Sequence, residues 1–124
     1  MQHSILVIDD DIAILATVSD ILADEGYQVY TATNGAEGLA ALATIEPNLI
    51  LLDMRMPVLD GWGFAQQLRE RGIAIPIVVM TATQDARRWA QEIGASHVLA
   101  KPFDLMDLIA VVQQVINRST QQWG

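Results

Sequence analysis

The amino-acid sequence predicts an α/β domain, a five-stranded parallel sheet with helices packed on both faces. Three observations lead there. Short, uninterrupted apolar runs such as Ile5-Leu6-Val7-Ile8 read as strands buried on both sides. Amphipathic helical stretches alternate with these runs along the chain. The chain has 124 residues, 52% of them hydrophobic, enough to bury one core of ordinary size.

The first strand is expected at Ile5 to Ile8. Apolar residues then recur at Ile14, Leu15, Val18, Ile21 and Leu22, and Gly26 follows. That pattern predicts a helix over Ile12 to Glu25 with a glycine beyond its end. Tyr27 to Ala32 reads as a weaker second strand, in which Val29 and Thr31 alternate with more polar neighbours. Asn34-Gly35 turns the chain into a helix from Ala36 to about Ile45, which Pro47 cannot continue.

Asn48 to Leu52 is the expected third strand. A loop with Pro57 and Asp60-Gly61 leads to a helix over about Trp62 to Arg71. The fourth strand is expected at Ile77 to Met80, and a shorter helix at Asp85 to Ile93 ends before Gly94. His97 to Ala100 is the fifth strand. The last helix, about Leu105 to Arg118, sets Leu105, Leu108, Ile109, Val112, Val115 and Ile116 on one stripe. No repeat, low-complexity tract or linker interrupts the chain, so residues 1–124 read as one domain with a short tail at 119–124.

Composition narrows the function. A net charge of −8 opposes direct binding to nucleic-acid phosphates. The apolar runs fall far short of the roughly 20 residues that span a bilayer, and the first residues lack the basic and apolar regions of a signal peptide. With no cysteine, thiolate metal sites are excluded, and a cytoplasmic location is the expectation.

Five polar residues stand where apolar runs end: Asp9 and Asp10, Asp53, Thr81, and Lys101. In an open parallel sheet, ligands bind beyond the carboxyl ends of the strands, where the strand order reverses. Two carboxylates about 4 Å apart repel by roughly 4 kcal/mol at an effective dielectric near 20. Three in one cleft therefore raise each other's pKa values or recruit a cation. Oxygen ligands without cysteine or a well-placed histidine favour a hard ion such as Mg2+. A carboxylate can also act as a nucleophile towards phosphorus, with an ammonium and a hydroxyl holding the phosphoryl oxygens. Asp53, Lys101 and Thr81 supply those groups.

The stretches Ile5 to Asp11, Asp53 to Gly61, Met80-Thr81-Ala82 and Lys101-Pro102-Phe103 resemble the receiver domain of bacterial two-component response regulators. In order, they span essentially the whole chain. The resemblance implies a doubly wound (βα)5, flavodoxin-like fold with strand order 2-1-3-4-5. It implies Asp53 as phosphoacceptor, with Asp9, Asp10, Asp53 and the backbone carbonyl of Arg55 around Mg2+. By the same resemblance Thr81 is a switch hydroxyl, Lys101 binds the phosphoryl group, and the Lys101-Pro102 bond is cis. The implied partners are a sensor histidine kinase or histidine phosphotransfer protein, and a protein effector at the face of the fourth helix, fifth strand and fifth helix. The chain departs from the family at Val98, where an aromatic ring is usual.

The implied function is a phosphorylation-activated switch rather than an enzyme. A degenerate receiver serving as a constitutive docking module is the alternative. A phosphatase with an aspartyl nucleophile fits less well, because Arg55 stands where such enzymes want a second aspartate. With no output domain following the receiver motifs, the output is expected through protein contacts or onward phosphotransfer. Asp11 reads as a helix N-cap, Trp89 as a core or rim residue with a partner contact as the alternative, and Trp62 as either a helix-start packing residue or a neighbour of the site. Arg87 and Arg88 read as a solvated face, and His3 and His97 as ordinary surface or edge residues.

Overall fold

Backbone pairing arranges the five strands in the order β2-β1-β3-β4-β5, all parallel. The structure, a computed structural model, describes residues 2–121. Its elements run β1 (Ser4–Ile8), α1 (Ile12–Asp24), β2 (Gln28–Ala32), α2 (Gly35–Ala41), β3 (Leu49–Asp53), α3 (Gly61–Glu70), β4 (Ile77–Thr81), α4 (Ala86–Ile93), β5 (His97–Ala100) and α5 (Leu105–Gln121). The expected doubly wound fold and strand order hold.

Alternation along each buried strand divides the core into two layers. Leu6, Ile8, Ile50, Leu52 and Val79 face one side, packing with Leu39, Phe64, Leu68, Trp89 and Ile93. Ile5, Val7, Leu49, Leu51, Val78 and Met80 face the other, packing with Leu15, Val18, Leu22, Leu108 and Val112. Helices α2, α3 and α4 thus cover one face, and α1 and α5 the other. β3 and β4 are buried throughout, which explains their unbroken apolar sequence.

Local chemistry sets most element ends. Asp11 caps α1, its Oδ1 accepting from the backbone N–H of Ala13 and Ile14, and Asp60 caps α3 by accepting from Gly63 N–H at 2.9 Å. Gly94 closes α4 at φ 70°, a left-handed conformation that suits glycine.

Two boundaries differ from the sequence expectation by more than one residue. α2 stops at Ala41, not near Ile45. Ala43 and Thr44 donate to the carbonyls of Ala40 and Ala41, so the helix tightens and unwinds before Pro47. At the other end, α5 continues through Gln121, so residues 119–121 of the expected tail are helical, and 122–124 lie outside the described residues.

Candidate functional site

Strand register brings the strand-end residues to a common level. Ile8 pairs with Leu52, so Asp9 follows β1 beside Asp53, the last residue of β3. Asp53 pairs with Met80, placing Thr81 one step further along β4. Thr81 pairs with Ala100, and Lys101 follows it. This edge lies where β1 and β3 adjoin, the point at which the order of the sheet reverses.

Asp9 is fully buried, and Asp53 and Thr81 are buried at 7% and 6% exposure. Carboxylate oxygens from Asp9, Asp10 and Asp53 lie within 4.8 Å of one another. Lys101 Nζ donates to Asp9 Oδ2 at 2.7 Å and lies 3.8 Å from Asp53 Oδ1. The other Asp9 oxygen accepts from the backbone N–H of Asp11 at 2.9 Å. One aspartate therefore ties the β1 end to both the lysine and the start of α1.

The Asp53 carboxyl is pushed up to about 6 by burial and, next, by the charge of Asp9. Lys101 and a hydrogen bond from the backbone N–H of Arg55 oppose that rise. The donor set suits a hard divalent cation: three carboxylates converge, and the chain has no cysteine to attract a softer metal. Asp10 is exposed and gives the cluster an open side, along a shallow cavity it shares with Met54, Arg55, Met56, Pro57, Asp60 and Trp62.

A second cavity is lined by Asp53, Arg55, Thr81, Ala82, Thr83 and Lys101. Thr81 Oγ1 accepts from Thr83 N–H at 3.4 Å, and Thr83 Oγ1 accepts from Asp85 N–H at 3.2 Å. These two bonds link the end of β4 to the start of α4. The backbone N–H of Lys101 donates to Thr81 carbonyl at 2.9 Å, and the Lys101-Pro102 bond is cis.

All five strand-end residues singled out in the sequence meet here. Two features are new. Lys101 is closer to Asp9 than to Asp53, whereas the sequence reading assigned it only to the phosphoryl group. For Arg55 the sequence suggested a backbone carbonyl for the metal and a side chain flanking the pocket; its guanidinium lies over the Trp89 ring, 5.2 Å from the centroid. Trp89 in turn meets Trp62 edge to face at 4.7 Å, and Trp62 Nε1 donates to Glu92 at 3.0 Å. Trp89 is buried, as its helical register suggested. Arg88 is exposed and pairs with Asp85 and Glu92. Val98 is half-buried against the core, so no ring stands at that position.

Comparisons with known proteins place these features in a family. The model described as "Response regulator receiver domain" matches residues 5–113. The chain is 39% identical over 120 residues to "Probable transcriptional regulator ycf27" of Cyanophora paradoxa, covering 95% of this chain and 50% of that one. It is 38% identical over 125 residues to "DNA-binding transcriptional regulator NtrC" of Escherichia coli K12, covering 98% of this chain and 27% of that one. The chain thus spans half or less of these two relatives. Among solved structures, chemotaxis response regulator CheY4 of Vibrio cholerae superposes with a TM-score of 0.85 at 33% identity, covering 93% of this chain and 99% of that one. A matching family model over most of the length, and a fold shared with a chemotaxis regulator, establish that this chain belongs to the receiver-domain family of two-component response regulators.

Proposed function

We propose that this domain is a signalling switch that accepts a phosphoryl group on Asp53, with Mg2+ as cofactor. The observation that carries this reading is the joint approach of Asp9, Asp10 and Asp53, with the Lys101 ammonium reaching both Asp9 and Asp53. A sensor histidine kinase or a histidine phosphotransfer protein is the donor in this reading.

An ionised Asp53 oxygen attacks phosphorus, an acyl phosphate bond forms, and the bond to the donor nitrogen breaks, the electron pair leaving with the imidazole. Lys101 pairs with a phosphoryl oxygen, and the Thr81 hydroxyl donates to another. Asp9, Asp10, Asp53 and the carbonyl of Arg55 are the ligands assigned to Mg2+, which when bound neutralises charge on the phosphoryl oxygens. The product carries about two negative charges at a buried edge, enough to redraw nearby hydrogen bonds.

Redirecting the Thr81 hydroxyl moves the Thr81–Thr83–Asp85 chain of bonds, and with it the entrance to α4. The readout face is therefore assigned to α4, β5 and α5, with a protein effector as partner. The net charge of −8 opposes nucleic-acid contact by this domain. A cytoplasmic site of action follows from the kinase partner; among the described residues no helix is long and apolar enough to cross a membrane.

Incubating the protein with a small phosphodonor and Mg2+ tests the assignment. One added phosphoryl mass is expected, lost in Asp53→Asn and on removing the metal with a chelator. Undiminished labelling of the variant would overturn it.

A further inference from the structure

Arg55 borders both halves of the site. It lines the cavity that holds Asp10 and the one that holds Asp53, Thr81, Thr83 and Lys101. Its backbone N–H already donates to the Asp53 carboxylate. Among the described residues its guanidinium pairs with no carboxylate, although the domain carries an excess of acidic groups. The cation instead rests over Trp89, a buried residue of α4.

That placement is the weaker of two available to it. A ring face attracts a guanidinium through its quadrupole alone. A phosphoryl group offers full charges and acceptor oxygens at the spacing of the guanidinium fork, which makes a stronger, charge-assisted pair. The Trp89 ring lies beside the guanidinium of this flexible side chain, and the Asp53 carboxylate beside its backbone N–H. Trp89 is not an isolated ring: it packs edge to face on Trp62, whose indole N–H is tied to Glu92 on the same helix as Trp89. Loss of the cation from this cluster changes the surroundings of two indoles and of the helix that carries one of them.

We propose that Arg55 is a phosphoryl-binding residue that leaves the Trp89 ring when Asp53 is phosphorylated, and that this exchange reports the state of the site to α4. The inference rests on the reading of Asp53 as phosphoacceptor. It adds a second line of communication to the hydroxyl chain from Thr81, carried by a side chain rather than by the loop.

Intact mass and tryptophan emission, followed together on the full chain, test it. All proteins carry Trp123→Phe, so that of the three tryptophans only Trp62 and Trp89 emit. The parent, given acetyl phosphate and Mg2+, is expected to gain one phosphoryl mass and to change its emission. Arg55→Met, which loses a phosphoryl partner, is expected to gain the mass more slowly and, per phosphorylated molecule, to lose most of the emission change, because its unphosphorylated spectrum already resembles the phosphorylated parent. Arg55→Lys, which keeps the charge without the fork, is expected to fall between them. Full mass gain in Arg55→Met with the parent's emission change intact overturns the relay alone. Failure of the parent to gain mass overturns the assignment of Asp53 and the relay with it.

Discussion

Lys101 Nζ sits 2.7 Å from Asp9 Oδ2 but 3.8 Å from Asp53 Oδ1. The fully buried aspartate therefore holds the lysine, and the Asp53 carboxylate lies at the edge of its reach. A buried charge needs a partner more than a partly accessible one does. The same contact keeps the ammonium beside Asp53, the proposed phosphoacceptor.

Removing the lysine leaves Asp9 buried without its ammonium partner. Lys101→Met is predicted to destabilise the fold by about 2–4 kcal/mol, below a wholly enclosed pair because the lysine side chain remains 18% exposed. Adding Asp53→Asn should recover part of that loss, since it removes a charge that repels Asp9. Urea unfolding of the two single variants and the double variant gives the coupling. Strict additivity would contradict the shared-ammonium arrangement.

Asp53 makes the domain's stability depend on pH in a definite direction. Its folded pKa, about 6, lies above the ordinary carboxylate value of 3.8. Between those values the folded state holds more protons than the unfolded chain, so stability falls as pH rises through this window. Above pH 6 the ionised group opposes folding by about 1–3 kcal/mol. Asp53→Asn is therefore predicted to melt higher than the parent at pH 7.5 in the presence of a chelator, with the advantage vanishing near pH 4.

Divalent cation should act as a stabilising ligand of the unphosphorylated domain. At a hundredfold excess over its dissociation constant, Mg2+ is predicted to add about 2.7 kcal/mol of stability. Asp10→Ala, at an exposed position, should leave the metal-free melting temperature almost unchanged and remove most of the Mg2+ response. Differential scanning calorimetry with and without the metal reads both. An unaltered Mg2+ response in that variant would exclude Asp10 as a ligand.

The loop after β3 leaves no room for a side chain at Gly61, the first residue of α3. A Cβ there would stand 2.5 Å from Met54 Sδ and 2.8 Å from Met54 Cα, and the Gly61 N–H donates to the Met54 carbonyl. Because Met54 follows Asp53 directly, relief must displace backbone adjoining that carboxylate. Gly61→Ala is predicted to destabilise the domain by about 1–3 kcal/mol and to weaken Mg2+ binding as well. Thermal melts and metal titration of the one variant test both parts; unchanged Mg2+ affinity would show that the loop shifts without disturbing the site.

Much of the architecture was written in local pattern. Unbroken apolar runs marked β1, β3 and β4 because strands covered on both faces are apolar along their length, and the polar residue that ends each run marked the edge of the sheet. That is why Asp9, Asp10, Asp53, Thr81 and Lys101 were legible as a group, with the strand order supplied by resemblance to the family. Tertiary structure decided the rest. The Lys101–Asp9 bond joins residues 92 positions apart, and the Arg55–Trp89 contact joins a loop to a helix beyond the next strand. Even the early end of α2 depends on which carbonyls the unwinding turn can satisfy. Periodicity fixes which face of an element is buried, but the partner of a polar side chain depends on distances between elements, and those exist only once the chain has packed.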